Sequence, residues 1–506
     1  MMEWIEALPD GFWSVLPPFL VLISLVTGVL IFLAGESRFR TRTALNLFAA
    51  VTKLVLVVGL LIAVDQGREF LWRMPLLPGL DLVLRVDSLS LLFTSLSALL
   101  WLLTTFYAIG YLEGSPHRAR FFGFFSLCVA STMGIAMAGN LFTFFLFYEL
   151  LTLATWPLVV HRGTAEAIAG GRSYLRYTLF GSSLFLAGLV WLHAETGSQD
   201  FIAGGLLPEV FSAGDTSKRA IFLLLLAGLG VKAALVPLHG WLPKAMVAPA
   251  PVSALLHAVA VVKAGAFGIV RLVYDVYGPE AVRALGLATV LAVLASITIV
   301  YGSMLALRQQ DLKKRLAYST VSQVSYIALG AAIAGPMATI GGLVHLVHQG
   351  LMKITLFFCA GNYAEILGIK RIDQLDGVGR TMPWTSLAFT LGALGMIGLP
   401  PLAGFISKWY LGAGAVAAGM YWVVPVLLAS TLLNAAYFLP LIGRIWFRPA
   451  PAQWPAAHAL PGLVRAALVV PAVFTALLAL AVGLLAGLDF SPLGWVRLIV
   501  GREYSP

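Results

Sequence analysis

Long apolar runs separated by short polar loops make up most of the chain. A helix needs about 20 apolar residues to cross roughly 30 Å of hydrocarbon, and fourteen runs approach or exceed that length. The pattern therefore predicts an all-α polytopic membrane protein with about 14 transmembrane helices. The predicted spans cover residues 12–34, 44–64, 87–110, 120–138, 141–160, 174–193, 220–239, 251–273, 284–306, 317–334, 337–362, 384–412, 419–443 and 464–487.

The segment between the second and third spans has a different pattern. Residues 65–86 contain the turn-forming stretch MPLLPGL and the alternating stretch DLVLRVD. Alternation with a period of two residues is typical of β-strands, and Pro and Gly mark turns. We therefore expect a small extramembrane hairpin at this point.

Composition places the chain among membrane proteins and indicates its orientation. Hydrophobic residues make up 60% of the chain and charged residues 11%, which excludes an ordinary soluble domain. Despite a net charge of +10, the basic residues lie in short loops without interleaved aromatics, so nucleic-acid binding is not indicated. When residues at the span ends are counted with the adjoining loops, placing the N-terminus outside puts 19 Lys and Arg residues, including Lys313, in inner loops and nine, including Arg271, in outer loops. The positive-inside rule then predicts a bacterial inner-membrane protein with both termini in the periplasm.

Six charged residues lie more than three residues from the ends of the predicted spans, where a charge costs at least about 2.5–3.5 kcal/mol. A single carboxylate, Glu149, accompanies five lysines, which are Lys53, Lys232, Lys263, Lys353 and Lys408. One carboxylate cannot neutralise four or five lysines, so structural ion pairs alone do not account for the set. Lys53 lies about three turns into its span and is expected to snorkel to the cytoplasmic side. The other five residues are candidates for proton transfer.

Lysine is suited to this chemistry because its pKa is movable. Burial lowers a lysine pKa by up to about 3–5 units, and a nearby carboxylate raises it again. Arginine stays charged under all these conditions, and no arginine lies more than three residues from the end of a predicted span.

Two of the lysines accompany helix breakers. Lys232 lies in GVKAALVPLHGWLP, and Lys408 lies in GLPPLAGFISKWYL. Discontinuous helices in corresponding halves of a chain are typical of inverted-repeat transport folds, and their freed backbone groups hold water at membrane depth. A simple proline kink is the alternative interpretation.

Histidines lie between these charges. His345, Gln349 and Lys353 are spaced i, i+4, i+8 and share one helix stripe, with His348 beside them. His257 shares a span with Lys263. We interpret the histidines as proton-relay groups, since His345 and His348 lack an evident third ligand for a metal. No P-loop, dinucleotide-binding fingerprint or thiolate cluster occurs, so no cofactor and no covalent chemistry are predicted.

Several of these stretches resemble the antiporter-like subunits of respiratory complex I and of Mrp-type multisubunit sodium/proton antiporters. The resemblance rests on PLHGWLPKAMVAPAPVSALLHAVAVVKAG, on MKITLFFCAG and GALGMIGLPPLAGFISKW, and on YELLTL around Glu149. It covers roughly residues 87–445 and is closest to the D-type component of Mrp antiporters and to hydrogenase-linked relatives. After His348 this chain has QGLMKIT, where relatives often have a bulky aromatic residue, so local packing is expected to differ there.

The resemblance implies two inverted five-helix repeats with broken helices 7 and 12. The implied division is 1–110 for helices 1–3 with the hairpin, 111–278 for the first repeat, 279–445 for the second repeat, and 446–506 for helix 14 and the tail. It also implies that Glu149 and Lys232 form the key pair of the first half-channel. Lys263 is then the connecting lysine, and Lys353 and Lys408 belong to the second half.

Three functions remain open at this point, all with other membrane subunits as partners. The first is a proton-translocating subunit of an Mrp-type exchanger, with protons and sodium as the transported ions. The second is the same module in a redox-driven complex such as complex I or a membrane-bound hydrogenase. The third is a membrane partner in an inorganic-carbon uptake complex. A scaffold subunit with vestigial charges is disfavoured because the row of charges is intact.

Overall fold

The computed structural model describes residues 10–197, 199–206, 215–455 and 460–504, and these are predominantly helical. Twelve helical segments within those ranges are long and apolar enough to cross a membrane. The main helices are α1 Asp10–Ala34, α2 Phe39–Asp65, α3 Ser88–Tyr111, α4 Arg118–Ala136, α5 Leu141–Val159, α6 Ala165–Thr196, α7 Thr216–Lys232, α8 Ala250–Ala258, α9 Val261–Arg271, α10 Leu287–Arg308, α11 Leu312–Ile333, α12 Pro336–Leu367, α13 Pro383–Ile397, α14 Ala403–Ala417, α15 Val423–Phe447, α16 Gly462–Leu484 and α17 Pro492–Glu503. The prediction of a polytopic helical membrane protein is confirmed.

The predicted extramembrane hairpin is also present. Strand β1, Phe70–Leu77, pairs antiparallel with β2, Leu80–Val86. Arg73 forms an ion pair with Asp81 inside the hairpin at 2.9 Å, and its ion pair with Asp200 at 2.6 Å ties the hairpin to its surroundings.

Two of the predicted spans are interrupted where proline and glycine accumulate. Helix α7 ends at Lys232, and a 3₁₀ turn and a short helix, Trp241–Lys244, follow. The second interruption separates α13 from α14. The first break contains Pro237, which lacks a backbone N–H, and Ala234 with a φ of +57°, while the second contains Pro400, Pro401 and Gly398 with a φ of +90°. Each sequence therefore stops a helix that the apolar pattern alone would continue.

A further interruption was not predicted. Residues 251–273 were expected to form one continuous span, but α8 ends at Ala258 and α9 begins at Val261, so the break separates His257 from Lys263. The helical run then continues beyond 273 as a π-helix, Leu272–Tyr277. A π-helix inserts extra backbone per turn, and such segments are frequent at functional sites.

The α8–α9 run and α12 are buried along their apolar windows and form the centre of the bundle. Outer helices instead expose large apolar side chains such as Leu33, Phe48 and Phe180, as expected for surfaces in contact with lipid or partner subunits. Small residues allow close packing at the centre. A Cβ on Gly265 would collide with the Ala233 backbone nitrogen, so α9 packs directly against the break after α7.

Candidate functional site

Helices α5, α6 and α7 bring the first group of predicted residues together. Glu149 on α5 is half-buried and accepts a hydrogen bond from the Ser182 hydroxyl on α6. Lys232, the last residue of α7, is fully buried. Its amine donates to the Tyr148 carbonyl and lies 3.3 Å from the centroid of the Tyr148 ring.

Lys232 thus contacts Tyr148, the residue next to Glu149 on α5, although within the described ranges Glu149 and Lys232 do not form an ion pair with each other. The broken helix is held by side chains that satisfy its backbone. The Trp241 indole donates to the Val231 carbonyl at 2.7 Å, and the Tyr148 hydroxyl donates to the Gly228 carbonyl at 3.0 Å. The break is therefore an ordered element that positions Lys232 next to α5.

The α8–α9 run carries His257 and Lys263, both fully buried. The His257 ring stacks on Phe357, with ring centroids 4.5 Å apart. In the described part of the chain, neither imidazole nitrogen of His257 nor the Lys263 amine has a hydrogen-bond partner. Buried polar groups are nearly always hydrogen-bonded to protein or ordered water, so this arrangement favours a hydrated environment around His257 and Lys263.

Helix α12 carries the predicted stripe of His345, Gln349 and Lys353, and all three side chains are fully buried. The His345 ring centroid is 5.1 Å from that of Tyr326 on α11. The Lys353 amine donates to the Ser319 hydroxyl at 2.7 Å, also on α11. The stripe therefore faces α11, and its members share one buried face as their spacing predicted.

His348 and Lys408 connect α12 to the second broken helix. His348 Nδ1 lies 3.2 Å from the hydroxyl of Ser407, the residue before Lys408. Lys408 is half-buried, and its amine donates to the Ile397 carbonyl at 2.6 Å and to the Thr431 hydroxyl at 3.0 Å. The Ile397 carbonyl is the last of α13, so Lys408 binds a backbone group at the helix break.

The two breaks carry a related sequence. Residues 237–244 are PLHGWLPK, and residues 401–408 are PLAGFISK. When these two stretches are aligned, Lys408 matches the exposed Lys244. Lys232 lies before its break and therefore outside the aligned stretch. A second pair follows, with SALLHA at 253–258 and STLLNA at 430–435, so that Asn434 matches His257.

One buried cluster was not predicted from the sequence. Arg271 was counted as an outer-loop residue, but it is buried and donates to both oxygens of Asp87 at 3.0 Å and to Asp275 at 2.8 Å. The expectation that Glu149 is the single carboxylate within the spans is therefore wrong, because Asp275 lies in the helical run that continues to Tyr277. The i, i+4 spacing of Arg271 and Asp275 was the available signal.

Lys53 also differs from expectation. It does not snorkel to the cytoplasmic side but is fully buried. Its amine donates to the Ser24 hydroxyl on α1 and lies 4.6 Å from the centroid of the Trp101 ring on α3. Lys313, assigned to a loop, likewise turns inward and donates to the Ala248 carbonyl at 2.6 Å.

No metal centre is evident, since His, Cys, Asp and Glu side chains within the described ranges do not gather in groups of three or more that could hold a metal ion.

Comparison with known proteins agrees with this architecture. Residues 138–434 match the family model described as NADH:quinone oxidoreductase/Mrp antiporter, TM, and residues 79–122 match the N-terminus of complex I chain 5. NADH-quinone oxidoreductase subunit N of Desulforudis audaxviator is 37% identical over 78% of this chain and 78% of that protein. A Na(+)/H(+) antiporter subunit of Alkalihalophilus pseudofirmus is 27% identical over 82% of this chain and 83% of its own length.

A chain of the Mrp complex from Dietzia sp. has the same fold, with a TM-score of 0.85 and 25% identity over 97% of this chain and 98% of that one. Several other curated relatives are longer, and this chain spans about half of their length. The family model alone covers more than half of the chain, which confirms the resemblance seen in the motifs. The chain belongs to the family of NADH:quinone oxidoreductase and Mrp antiporter membrane subunits.

Proposed function

We propose that the chain is the proton-translocating, antiporter-like subunit of a multisubunit sodium/proton antiporter. The observation that carries this proposal is the row of amines and imidazoles described above, which are buried except for Lys408 on α14 and are accompanied by the carboxylate of Glu149 on α5. The proposed proton-transfer residues are Glu149, Lys232, His257, Lys263, His345, His348, Lys353 and Lys408.

The two half-buried members of this row, Glu149 and Lys408, support assembly with other subunits. Glu149 lies one helical turn before the exposed Leu153, and Lys408 lies beside the exposed Trp409. A charge facing lipid is costly, and intramembrane charges normally face protein or water. We therefore infer that neighbouring membrane subunits cover both edges.

The domain division and the membrane orientation belong to the same proposal. The repeated stretches PLHGWLPK and PLAGFISK support a first repeat at 111–278 and a second at 279–445, flanked by 1–110 and 446–506. The bias of basic residues toward alternate loops supports a location in the bacterial inner membrane with both termini in the periplasm.

Cysteine labelling tests the orientation. Ser37 and Gln66 are exposed and lie at opposite ends of α2, while the native Cys128 and Cys359 are buried. A membrane-impermeant maleimide should label Gln66→Cys in intact cells and Ser37→Cys only after permeabilisation. The reverse result would overturn the proposed topology.

Proton movement in inverted membrane vesicles containing the assembled complex tests the function. Adding sodium to energised vesicles should release the pH gradient, and Glu149→Ala and Lys408→Arg should each prevent this, because the first removes the carboxylate and the second cannot lose its charge. Native gels would verify assembly. Sodium-dependent exchange at the wild-type rate in Lys408→Arg would exclude a protonation change at this residue.

A redox-driven proton pump is the second candidate function, favoured by the relative of Desulforudis audaxviator, which is an NADH-quinone oxidoreductase subunit. It predicts that the purified complex contains redox subunits and that proton movement requires an electron donor. Partnership in inorganic-carbon uptake is the third candidate, and it predicts bicarbonate-dependent rather than sodium-dependent activity. Identification of the co-purifying subunits separates the three.

A further inference from the structure

Helix α15 carries a polar stripe whose residues are not among the proposed proton-transfer residues. Ser430, Asn434 and Tyr437 follow each other at i, i+4 and i+7, so they share one face of the helix. All three are fully buried within an otherwise apolar span. Thr431, which binds Lys408, belongs to the same turn as Ser430.

The stripe is linked to Lys353 through the hydroxyl of Ser319. The Lys353 amine donates to Ser319 Oγ at 2.7 Å, and the Tyr437 hydroxyl lies 2.9 Å from the same atom. Tyr437 also donates to Asn434 Oδ1 at 2.5 Å. Three consecutive bonds therefore lead from Lys353 on α12 through Ser319 on α11 to α15.

The direction of these bonds follows from the hydrogens available. Asn434 uses its amide nitrogen to donate to the Met396 carbonyl at 3.1 Å, so its oxygen is the acceptor for Tyr437. Tyrosine has one hydroxyl hydrogen, which the bond to Asn434 occupies. Ser319 is then the donor to Tyr437, and every bond in the series points away from Lys353.

The far end of the series lies at the second helix break. Asn434 binds the Met396 carbonyl, and Lys408 binds the carbonyl of the next residue, Ile397. The two side chains therefore contact consecutive peptide groups at the end of α13. At the break, Lys408 therefore binds the peptide group next to the one bound by Asn434, the last residue of the hydrogen-bonded series that starts at Lys353.

We infer that the hydroxyls of Ser319 and Tyr437 relay a proton from Lys353 toward Lys408, with Asn434 orienting the tyrosine. The inference rests on the proposed proton-translocating function and adds two residues to it. Protonated Lys353 gives a proton to Ser319, Ser319 gives its hydroxyl proton to Tyr437, and Tyr437 releases its own. A water molecule at the break takes this proton as the Tyr437 hydroxyl turns away from Asn434 Oδ1, and the water passes one proton to the neutral Lys408 amine.

This sequence of transfers balances. Lys353 loses one positive charge and Lys408 gains one. Ser319 and Tyr437 are neutral before and after, and only the direction of their hydrogen bonds is reversed. A backbone amide or an asparagine alone could not perform this step, because neither readily releases one proton while binding another.

A purely structural role is the competing explanation, since hydrogen bonds between helices stabilise membrane bundles by about 0.6 kcal/mol on average. The chain offers a matched control for that role. Tyr363 on α12 is also fully buried and donates to a serine, Ser386 on α13, at 3.0 Å. Within the part of the chain that the structure describes, neither member of this pair is hydrogen-bonded to a lysine.

The test is the initial rate of proton transport by the assembled complex in membrane vesicles. Tyr437→Phe and Ser319→Ala should each slow transport by at least about tenfold, while Tyr363→Phe should leave it within about twofold of wild type. The double variant Ser319→Ala/Tyr437→Phe should be no slower than the slower single variant, because both hydroxyls belong to one series. Ser319→Thr, which keeps a hydroxyl, should restore most of the rate.

The outcomes separate the relay from the function on which it depends. Loss of transport in Lys353→Ala and Lys408→Ala, together with wild-type transport in Tyr437→Phe, would overturn the relay and leave the proposed function intact. Wild-type transport in both lysine variants would overturn the proposed function itself. Equal slowing in Tyr437→Phe and Tyr363→Phe would assign Tyr437 a packing role and overturn the relay.

Discussion

Gly398 controls the position of Lys408, and replacing it tests whether that position matters. Its φ of +90° lies in the region that favours glycine. An added Cβ would lie 2.8 Å from Lys408 Cδ and 3.2 Å from its amine nitrogen. Gly398→Ala therefore combines backbone strain with displacement of the lysine side chain.

The size of the effect follows from these distances. Ordinary van der Waals contact begins at 3.4 Å, so Lys408 Cδ must move by at least about 0.6 Å, the difference between 3.4 and 2.8 Å. The movement weakens the 2.6 Å bond to the Ile397 carbonyl. A hydrogen bond from a charged group contributes about 1.5–3 kcal/mol, and losing half of it changes a transfer equilibrium by roughly three- to tenfold. Backbone strain adds about 1–2 kcal/mol of destabilisation.

The assay is proton transport in vesicles, normalised to the amount of assembled complex on a native gel. Gly398→Ala should transport roughly three- to tenfold more slowly than wild type. Gly412→Ala on α14 is the matched control, because its new Cβ would meet only Leu427 Cδ1 at 3.8 Å among the described residues. If Gly398→Ala and Gly412→Ala both transported at the wild-type rate, the position of the Lys408 amine would not limit proton transfer.

Three further predictions concern residues outside the proposed row. Lys53→Met should retain transport, because Lys53 contacts Ser24 and Trp101 and no member of the row; a large loss of vesicle transport would place Lys53 on the pathway. Arg271→Ala should lower the yield of assembled complex on native gels, since removing one partner of a buried ion pair costs about 3–5 kcal/mol, and normal yield would show that the cluster is dispensable. Burial and the nearby Asp87 raise the pKa of Glu503 to about 8 from an ordinary value of 4.5, so docking of α17 is strongest at low pH and weakens as the pH rises through this window. Hydrogen exchange of α17, corrected for its intrinsic pH dependence, should therefore accelerate up to about pH 8 in the wild type but not in Glu503→Gln, and identical corrected profiles would contradict this assignment.

Much of the architecture was predictable because hydrophobic length and helix breakers are local properties. The apolar runs around Glu149 and His345 identified helices, and the prolines beside Lys232 and Lys408 identified where helices stop. The i, i+4, i+8 spacing also predicted that His345, Gln349 and Lys353 share a buried face.

Pairings between distant segments were not predictable in the same way. Arg271 and Asp87 are 184 residues apart, and each lies near the end of a span, where a charge resembles an ordinary loop residue. The inward turn of Lys313 and the hydroxyl contact between Tyr437 and Ser319 likewise depend on which helices pack together. Lys53 shows the same limit, because its partner Ser24 lies on another helix that the local pattern could not select.

The break between α8 and α9 arises without proline. Its residues, Val259 and Ala260, are small and apolar, and nothing in their sequence distinguishes them from helix interior. Packing of α9 against the interrupted α7 through Gly265 accompanies the irregularity. Tertiary contacts, rather than local propensity, therefore determine this element.

If neighbouring subunits cover the half-buried Glu149 on α5 and the half-buried Lys408 on α14, as proposed, the opposite charge types of these two edges have a consequence for symmetry. A two-fold dimer would place each edge against its own copy, so that carboxylate met carboxylate or amine met amine. Head-to-tail contact instead brings a carboxylate edge against an amine edge. Such contacts need not close on themselves, so subunits of this kind can be added one at a time. The number of subunits is then fixed by end subunits that offer only one complementary edge.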